Sequence, residues 1–381
     1  MVTKRRTFKF KLFQEFTENE KSGGILLLAC TLFSLLASNI FFPHQYVALW
    51  HAEVGGFSVL HFVNDALMAV FFLLIGLEIK RELREGELST VKKAMLPVVG
   101  ALGGMLAPAL IYISINLHTG SVRGAGIPVA TDIAFSLGIL SLLGKRVPLP
   151  LKVFLTALAV ADDLGAILVI ALFYTSSLNL YYLFGVIGIS LILFLLSKLK
   201  KQYTLFYLIG GIILWVVMFK SGIHATLAGV LLAFLLPTSL SNNWEHRLIK
   251  PVNFVILPLF ALGNTSIEIN KAMFEGVINP NTIGIALGLI IGKPLGILGL
   301  SFMAVKLKIC NLPHAVQHKH LLGVAMLGGI GFTMSIFIAI LSFEKSIQLD
   351  YSKIAVLTGS FISGILGYTW LNIFLPKNKH M

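Results

Sequence analysis

The chain has 381 residues, of which 56% are hydrophobic and 12% charged, and a mean hydropathy of +0.88. A soluble domain of this size carries about twice that share of charge, so a water-soluble fold is excluded and a polytopic membrane protein is expected. A net charge of +13 would suit a nucleic-acid binder, but the bases are spread over many short loops, and the two cysteines, Cys30 and Cys310, give neither a disulfide framework nor a metal cluster.

The first apolar run, 23–42, is followed by many others and reads as a first span, not a cleaved leader. Hydropathy divides the chain into twelve spans near bilayer length, at about 22–42, 58–80, 94–117, 123–143, 150–174, 180–199, 204–219, 222–237, 248–268, 282–305, 320–343 and 351–375. The seventh and eighth are short and parted only by Lys220, Ser221 and Gly222. Of the 30 Lys and Arg, 24 then fall on one side, five on the other (Arg123, Lys220, Lys271, Lys345 and Lys353), and Lys293 inside a span. That excess places both termini in the cytoplasm.

Few ionisable groups remain inside. Asp65, in the second span, is expected to anchor helix packing by hydrogen bonds. At the end of that span, GLEIKRELREGE (76–87) makes Glu78–Glu82 and Arg81–Glu85 i,i+4 neighbours. This is either a solvated helix end or a charged funnel that gathers cations and responds to pH.

The fourth span, GIPVATDIAFSLGIL (126–140), carries Pro128 just before Thr131 and Asp132. The fifth, VFLTALAVADDLGAILVI (153–170), holds Asp162 and Asp163 near its middle. Each charge there costs about 2.5–3.5 kcal/mol on insertion scales, so function is the better explanation. The tenth carries Lys293, and glycines at 284, 288, 292 and 296 that would let another helix approach closely. The eleventh, MLGGIGFTMSIFI (326–338), is interrupted by Gly328, Gly329 and Gly331. Paired interruptions in corresponding spans point to a transporter site. By parity, spans three to five and ten to twelve are inverted triplets, each with a broken middle member.

Adjacent helix residues diverge by about 100°, so Asp162 and Asp163 address different neighbours. Acids removed from water tend to keep their protons, and a second carboxylate nearby strengthens this. Once ionised, their hard oxygens suit a small cation, and competition between protons and cation is an exchange mechanism. Asp132 and Lys293 are expected either to compensate the partial charges of opposed half-helix ends, or, for Lys293, to pair with Asp162 and lose its proton when the ion binds. His224, Glu245 and His246, near membrane boundaries, are candidate pH sensors or incidental. No ATP-binding GxxxxGK[ST] loop is present, and the run Gln317–His320 has no partner ligands.

The segments DALMAVFFLLIGLEIKREL (65–83), PVATDIAFSLGIL (128–140), ALAVADDLGAI (157–167), KSGIHATLAGV (220–230), ILPLFA (256–261), GKPLGI (292–297) and GIGFTMSIFI (329–338) resemble the NhaA family of sodium/proton antiporters. The resemblance implies inverted triplets with two crossing interrupted helices. Residues 94–174 and 282–375 would form the repeat core, and 22–80 and 180–268 the remaining scaffold. It implies that Asp162 and Asp163 exchange ion and proton, Asp163 being the firmer sodium ligand, with Thr131 and Asp132 at the crossing and Lys293 beside the acids. Its pH-response positions fall on Glu78, Arg81, Glu82, Glu85, His224, Glu245 and His246. Two departures stand out. The family pattern has a histidine where this chain has Ile249, and the loop before Asp65 lacks a long insertion able to form a dimer hairpin.

The expected protein is thus a secondary active antiporter of a bacterial inner membrane. It would export Na⁺ (and Li⁺) against entering protons, two per sodium, with no cofactor and a possible homodimer. The rivals are a proton- or sodium-coupled organic solute carrier, a passive cation channel and a membrane enzyme. This midplane offers carboxylates, a Thr and one Lys, and no roomy aromatic pocket or catalytic set.

Overall fold

Long apolar segments can satisfy their backbone polar groups in lipid only as helices or closed barrels. Helices account for nearly all the regular structure in the computed structural model, which describes residues 20–175, 178–198, 204–269, 271–313, 316–344 and 346–376. α1 (Glu20–Leu36) and α2 (Pro43–His51) lead to a small hairpin, β1 (Glu53–Val54) and β2 (Phe57–Ser58), with Glu53 opposite Ser58. The connection before Asp65 thus holds a short helix and a hairpin with strands of two residues only, not a long insertion.

α3 (Val59–Phe62) passes through a wide π-type turn at Val63–Leu67 into α4 (Met68–Arg84). α5 (Val91–Asn116) is followed by a tight 3₁₀ stretch, Val122–Val129, and α6 (Ile133–Leu142). α7 (Leu149–Phe173), α8 (Leu180–Lys198) and α9 (Thr204–Ser221) are continuous, whereas α10 (Leu227–Leu235) is short. α11 (Thr238–Pro251) runs on through Val252–Ile256 to α12 (Leu257–Asn264), then α13 (Lys271–Gly276). α14 (Pro280–Leu287) and α15 (Lys293–Lys306) flank a π-type turn at Gly288–Gly292. The chain closes with α16 (His318–Leu327), α17 (Phe332–Phe343) and α18 (Ile347–Phe374).

Among the described residues nine runs are long and apolar enough to cross a membrane, and α16 with α17, bent by 49° at their break, makes a tenth. The protein is an all-helical, multi-pass membrane protein. Hydropathy leaves three described helices, α2, α11 and α13, largely or wholly within expected connections. Residues 238–250, expected as a loop, are helix α11, which buries Leu240, Ser241, Trp244 and Glu245 on one face while carrying polar residues on the other. A hydropathy average cannot see a polar helix packed by one stripe. Lys4, Arg5, Arg6, Lys9, Lys11, Lys200, Lys201, Lys345, Lys377 and Lys379, part of the charge partition, lie outside the described residues.

The glycine stripe does what its spacing predicts. Gly284 faces Tyr112 and Asn116, Gly288 faces Pro128, Gly292 faces Pro108, and Gly296 faces Gly103. A Cβ on Gly296 would stand 2.0 Å from the Gly103 carbonyl oxygen, and one on Gly103 2.0 Å from that of Gly296. This contact brings α15 against α5 and delivers Lys293 to the interior.

Candidate functional site

A helix end leaves four N–H or four C=O groups without intrahelical partners, and lipid supplies none. Two interrupted spans bring such ends to one place. In the first, the 3₁₀ stretch gives way to extended backbone at Ala130 (φ −80°, ψ 154°) before α6 begins. In the second, Gly328–Gly331 separates α16 from α17. The breaks bond to each other: the Asp132 N–H donates to the Ile330 carbonyl at 2.6 Å.

Asp132 then caps two helices at once. Its Oδ1 accepts from the Phe135 N–H (3.0 Å) at the start of α6. Its Oδ2 accepts from the Thr333 N–H (3.1 Å) and hydroxyl (2.6 Å) at the start of α17. Ser360 of α18 accepts from the N–H groups of Gly331 and Phe332, each at 3.2 Å. An anion at two N-terminal dipoles is the expected arrangement.

Thr131 faces the carbonyl end. Its Oγ1 lies 2.7 Å from the Gly328 carbonyl and 2.7 Å from Asp162 Oδ2. With one proton it donates to one of them at a time. Lys293 donates to Thr131 Oγ1 at 2.9 Å and forms a short ion pair with Asp162 Oδ2. Both members of that pair are 0% exposed. Of the two arrangements the sequence left open for Lys293, the structure has the direct pair with Asp162.

The other side of the acidic pair is unlike this. Asp162 Oδ1 and Asp163 Oδ1 are buried without any hydrogen-bond partner. A buried, unsatisfied polar atom costs about 1–3 kcal/mol, and more if charged. Such an oxygen wants a proton or a cation. Asp163 lies within electrostatic reach of Asp162, Glu78, Asp132 and Lys293. Four groups expected at one depth are therefore one constellation.

A second cluster joins α4 to α11. Arg81 Nε stands 3.1 Å from Glu245 Oε1, and its Nη2 3.4 Å from Glu82. Glu82 Oε2 also accepts from the Glu87 N–H at 2.9 Å. Arg81 is thus paired with Glu245 and not with its i,i+4 neighbour Glu85, while Glu78 and Glu82 stay within electrostatic reach of each other. Arg81 crosses to another helix, and Glu82 closes its own turn. Glu85 and His246 are exposed. Glu245 is buried, and that burial pushes its carboxyl above the ordinary range, with Arg81 opposing.

His224 does not join this cluster. Its Nδ1 is 3.3 Å from Thr226 Oγ1 and its ring packs on Phe337. Asp65 differs from expectation also: it pairs with His61 (Oδ2–Nε2 3.2 Å), while the neighbouring Asn64 makes the packing contact, exchanging amide hydrogen bonds with Asn264. Sequence reasoning missed Lys80, which is 4% exposed and bonded to the end of α10. The missed signal was Pro237, which leaves a carbonyl without its donor. No group of His, Cys, Asp and Glu among the described residues is arranged to hold a resident metal.

Broken helices that meet around buried, partly unpartnered carboxylates define the class of ion-coupled membrane transporters. The family model described as Na⁺/H⁺ antiporter 1 matches residues 14–371. The chain is 52% identical to Na(+)/H(+) antiporter NhaA 1 of Flavobacterium johnsoniae, over 97% of this chain and 99% of that one. It is 50% identical to the NhaA antiporter of Dechloromonas aromatica, over 97% of each, and 49% identical to that of Cytophaga hutchinsonii, over 96% of each. The chain belongs to the NhaA family of Na⁺/H⁺ antiporters, whose members are transporters and not enzymes.

Proposed function

We propose that this protein exports Na⁺ (and Li⁺) from the cytoplasm in exchange for protons entering down their gradient, two per sodium, and so electrogenically. In this reading it resides in a bacterial inner membrane with both termini cytoplasmic. Twelve spans contain an inverted-repeat core, 94–174 and 282–375, that moves against the scaffold, 22–80 and 180–268. Association as a homodimer is part of the same proposal, and no cofactor is needed.

The observation that carries the proposal is the pair of orphaned oxygens on Asp162 and Asp163. Hard carboxylate oxygens, with the Thr131 hydroxyl beside them, suit a small hard cation. With the site open to the cytoplasm, Na⁺ displaces protons from Asp162 and Asp163. The Lys293 ammonium keeps its proton, pairs with Asp162 whenever that acid holds neither a proton nor Na⁺, and gives way when Na⁺ arrives. Rocking about the helix crossing exposes the ion to the outside, where protons reload the acids. Asp132 keeps the half-helix ends compensated throughout. At the α4–α11 cluster, loss of a proton from Glu245 as pH rises accompanies activation. Glu78, Arg81, Glu82, Glu85 and His246 shape the field there, and His224 contributes from its separate position.

The test is dye-reported proton movement in everted vesicles on addition of Na⁺, Li⁺ or K⁺. Release of trapped protons by Na⁺ and Li⁺, abolished in Asp163→Asn, is expected. Full exchange in Asp163→Asn overturns the assignment, and cation flux without counterflow of protons points to a channel instead.

A further inference from the structure

Lys80 has no part in the ion site, yet it is among the most deeply buried charges in the protein. In a continuous helix the Ala233 carbonyl would accept from the N–H of residue 237. That residue is Pro237, which has none. Lys80 supplies the missing donor from another helix. Its Nζ, which carries three protons, lies within hydrogen-bond reach of four acceptors: the carbonyls of Ala233 (2.9 Å), Phe234 (3.4 Å) and, closer still, Leu236, and the Ser241 hydroxyl (3.0 Å). A cation at the carbonyl end of α10 also meets the negative end of its dipole. The two helices are pressed together nearby: a Cβ on Gly229 of α10 would stand 2.1 Å from the Ala69 carbonyl oxygen of α4.

Ser241 and Glu245 are one helical turn apart on the buried face of α11. Lys80 and Arg81 are adjacent on α4. The ammonium therefore grips the first turn of α11, and the guanidinium grips the carboxylate one turn later. Arg84 bonds to Thr238 at the outer edge.

We propose that Lys80 is the positioning residue of the α4–α11 cluster: by filling the carbonyl cage at the end of α10, it holds α11 so that Glu245 is buried against Arg81. This rests on the pH-response role given to Glu245 above. The charges facing Glu245 are Arg81, Glu82 and Glu85 from α4 and its end, and His246 from its own helix, with Glu78 also within reach. Arg84 is the charge that acts on Lys80.

Burial is the largest influence on Glu245 and favours its protonated form. Release of α11 hydrates the carboxyl, its proton leaves at lower pH, and activation moves toward acid.

The experiment measures exchange against pH for the full-length protein in proteoliposomes, together with thermal melting in detergent. Lys80→Met should shift half-activation acidward by about half a pH unit or more, with the rate at the optimum within about twofold of wild type. Lys80→Arg, which keeps the charge although its planar fork fits a compact cage poorly, should shift less than Lys80→Met. Should Lys80→Met fail to fold, Ser241→Ala removes one acceptor and should shift the profile in the same direction. Lower melting or rate with an unmoved profile, in Lys80→Met or in a folded Ser241→Ala standing in for it, overturns the proposal. Glu245→Gln, a mimic of the protonated acid, should move the profile the opposite way. A wild-type profile in Glu245→Gln overturns the pH-response reading itself, and the proposal with it.

Discussion

Asp132 and the pair Asp162–Asp163 are carboxylates of one constellation, all buried, and their bonding differs. Both oxygens of Asp132 accept hydrogen bonds, from donors at two helix ends. Asp162 commits one oxygen to Thr131 and Lys293 and leaves the other without a partner, as is Oδ1 of Asp163. A saturated carboxylate is part of the scaffold, because releasing any donor would strand a helix terminus. An unsaturated one has an unmet requirement, and an exchanger works by meeting that requirement alternately with protons and with a cation. Lys80 is the cationic counterpart of Asp132: the same capping physics with the sign reversed.

The sharpest way to break this comparison is to neutralise both kinds of acid. Asp163→Asn should bring exchange to the vesicle background, whereas Asp132→Asn keeps an acceptor for the helix ends and should retain measurable exchange. The cost of Asp132→Asn should appear as stability, about 1.5–3 kcal/mol for the weakened charge-assisted bonds, read from thermal melting. The reverse ranking would show that saturation does not mark the scaffold.

A smaller effect is expected at Lys293. If its ammonium only balances Asp162, Lys293→Gln should keep voltage-dependent exchange in proteoliposomes with a weaker apparent Na⁺ affinity. Loss of voltage dependence would make the lysine an obligatory proton carrier. The smallest effect belongs to His61, 44% exposed in its pair with Asp65. Its partner Asp65 is only 15% exposed, and a pair with one partly exposed member contributes about 1 kcal/mol, so His61→Ala should lower melting slightly and leave exchange within error.

What the chain determined alone was considerable. Its hydropathy made it a helical membrane protein. Glycines at intervals of four required a close helix partner, and acids inside apolar runs announced the site. These follow from local physics, since lipid punishes any unsatisfied polar group wherever the chain later travels. What the tertiary structure decided was pairing. Pattern could not say whether Lys293 would reach a helix end or Asp162, that Arg81 would leave its i,i+4 neighbour for Glu245, or that Lys80 would stand in for the N–H missing at Pro237. Those choices depend on which helices lie side by side, a property of packing among segments far apart in sequence. Spacing within one segment does not carry that information.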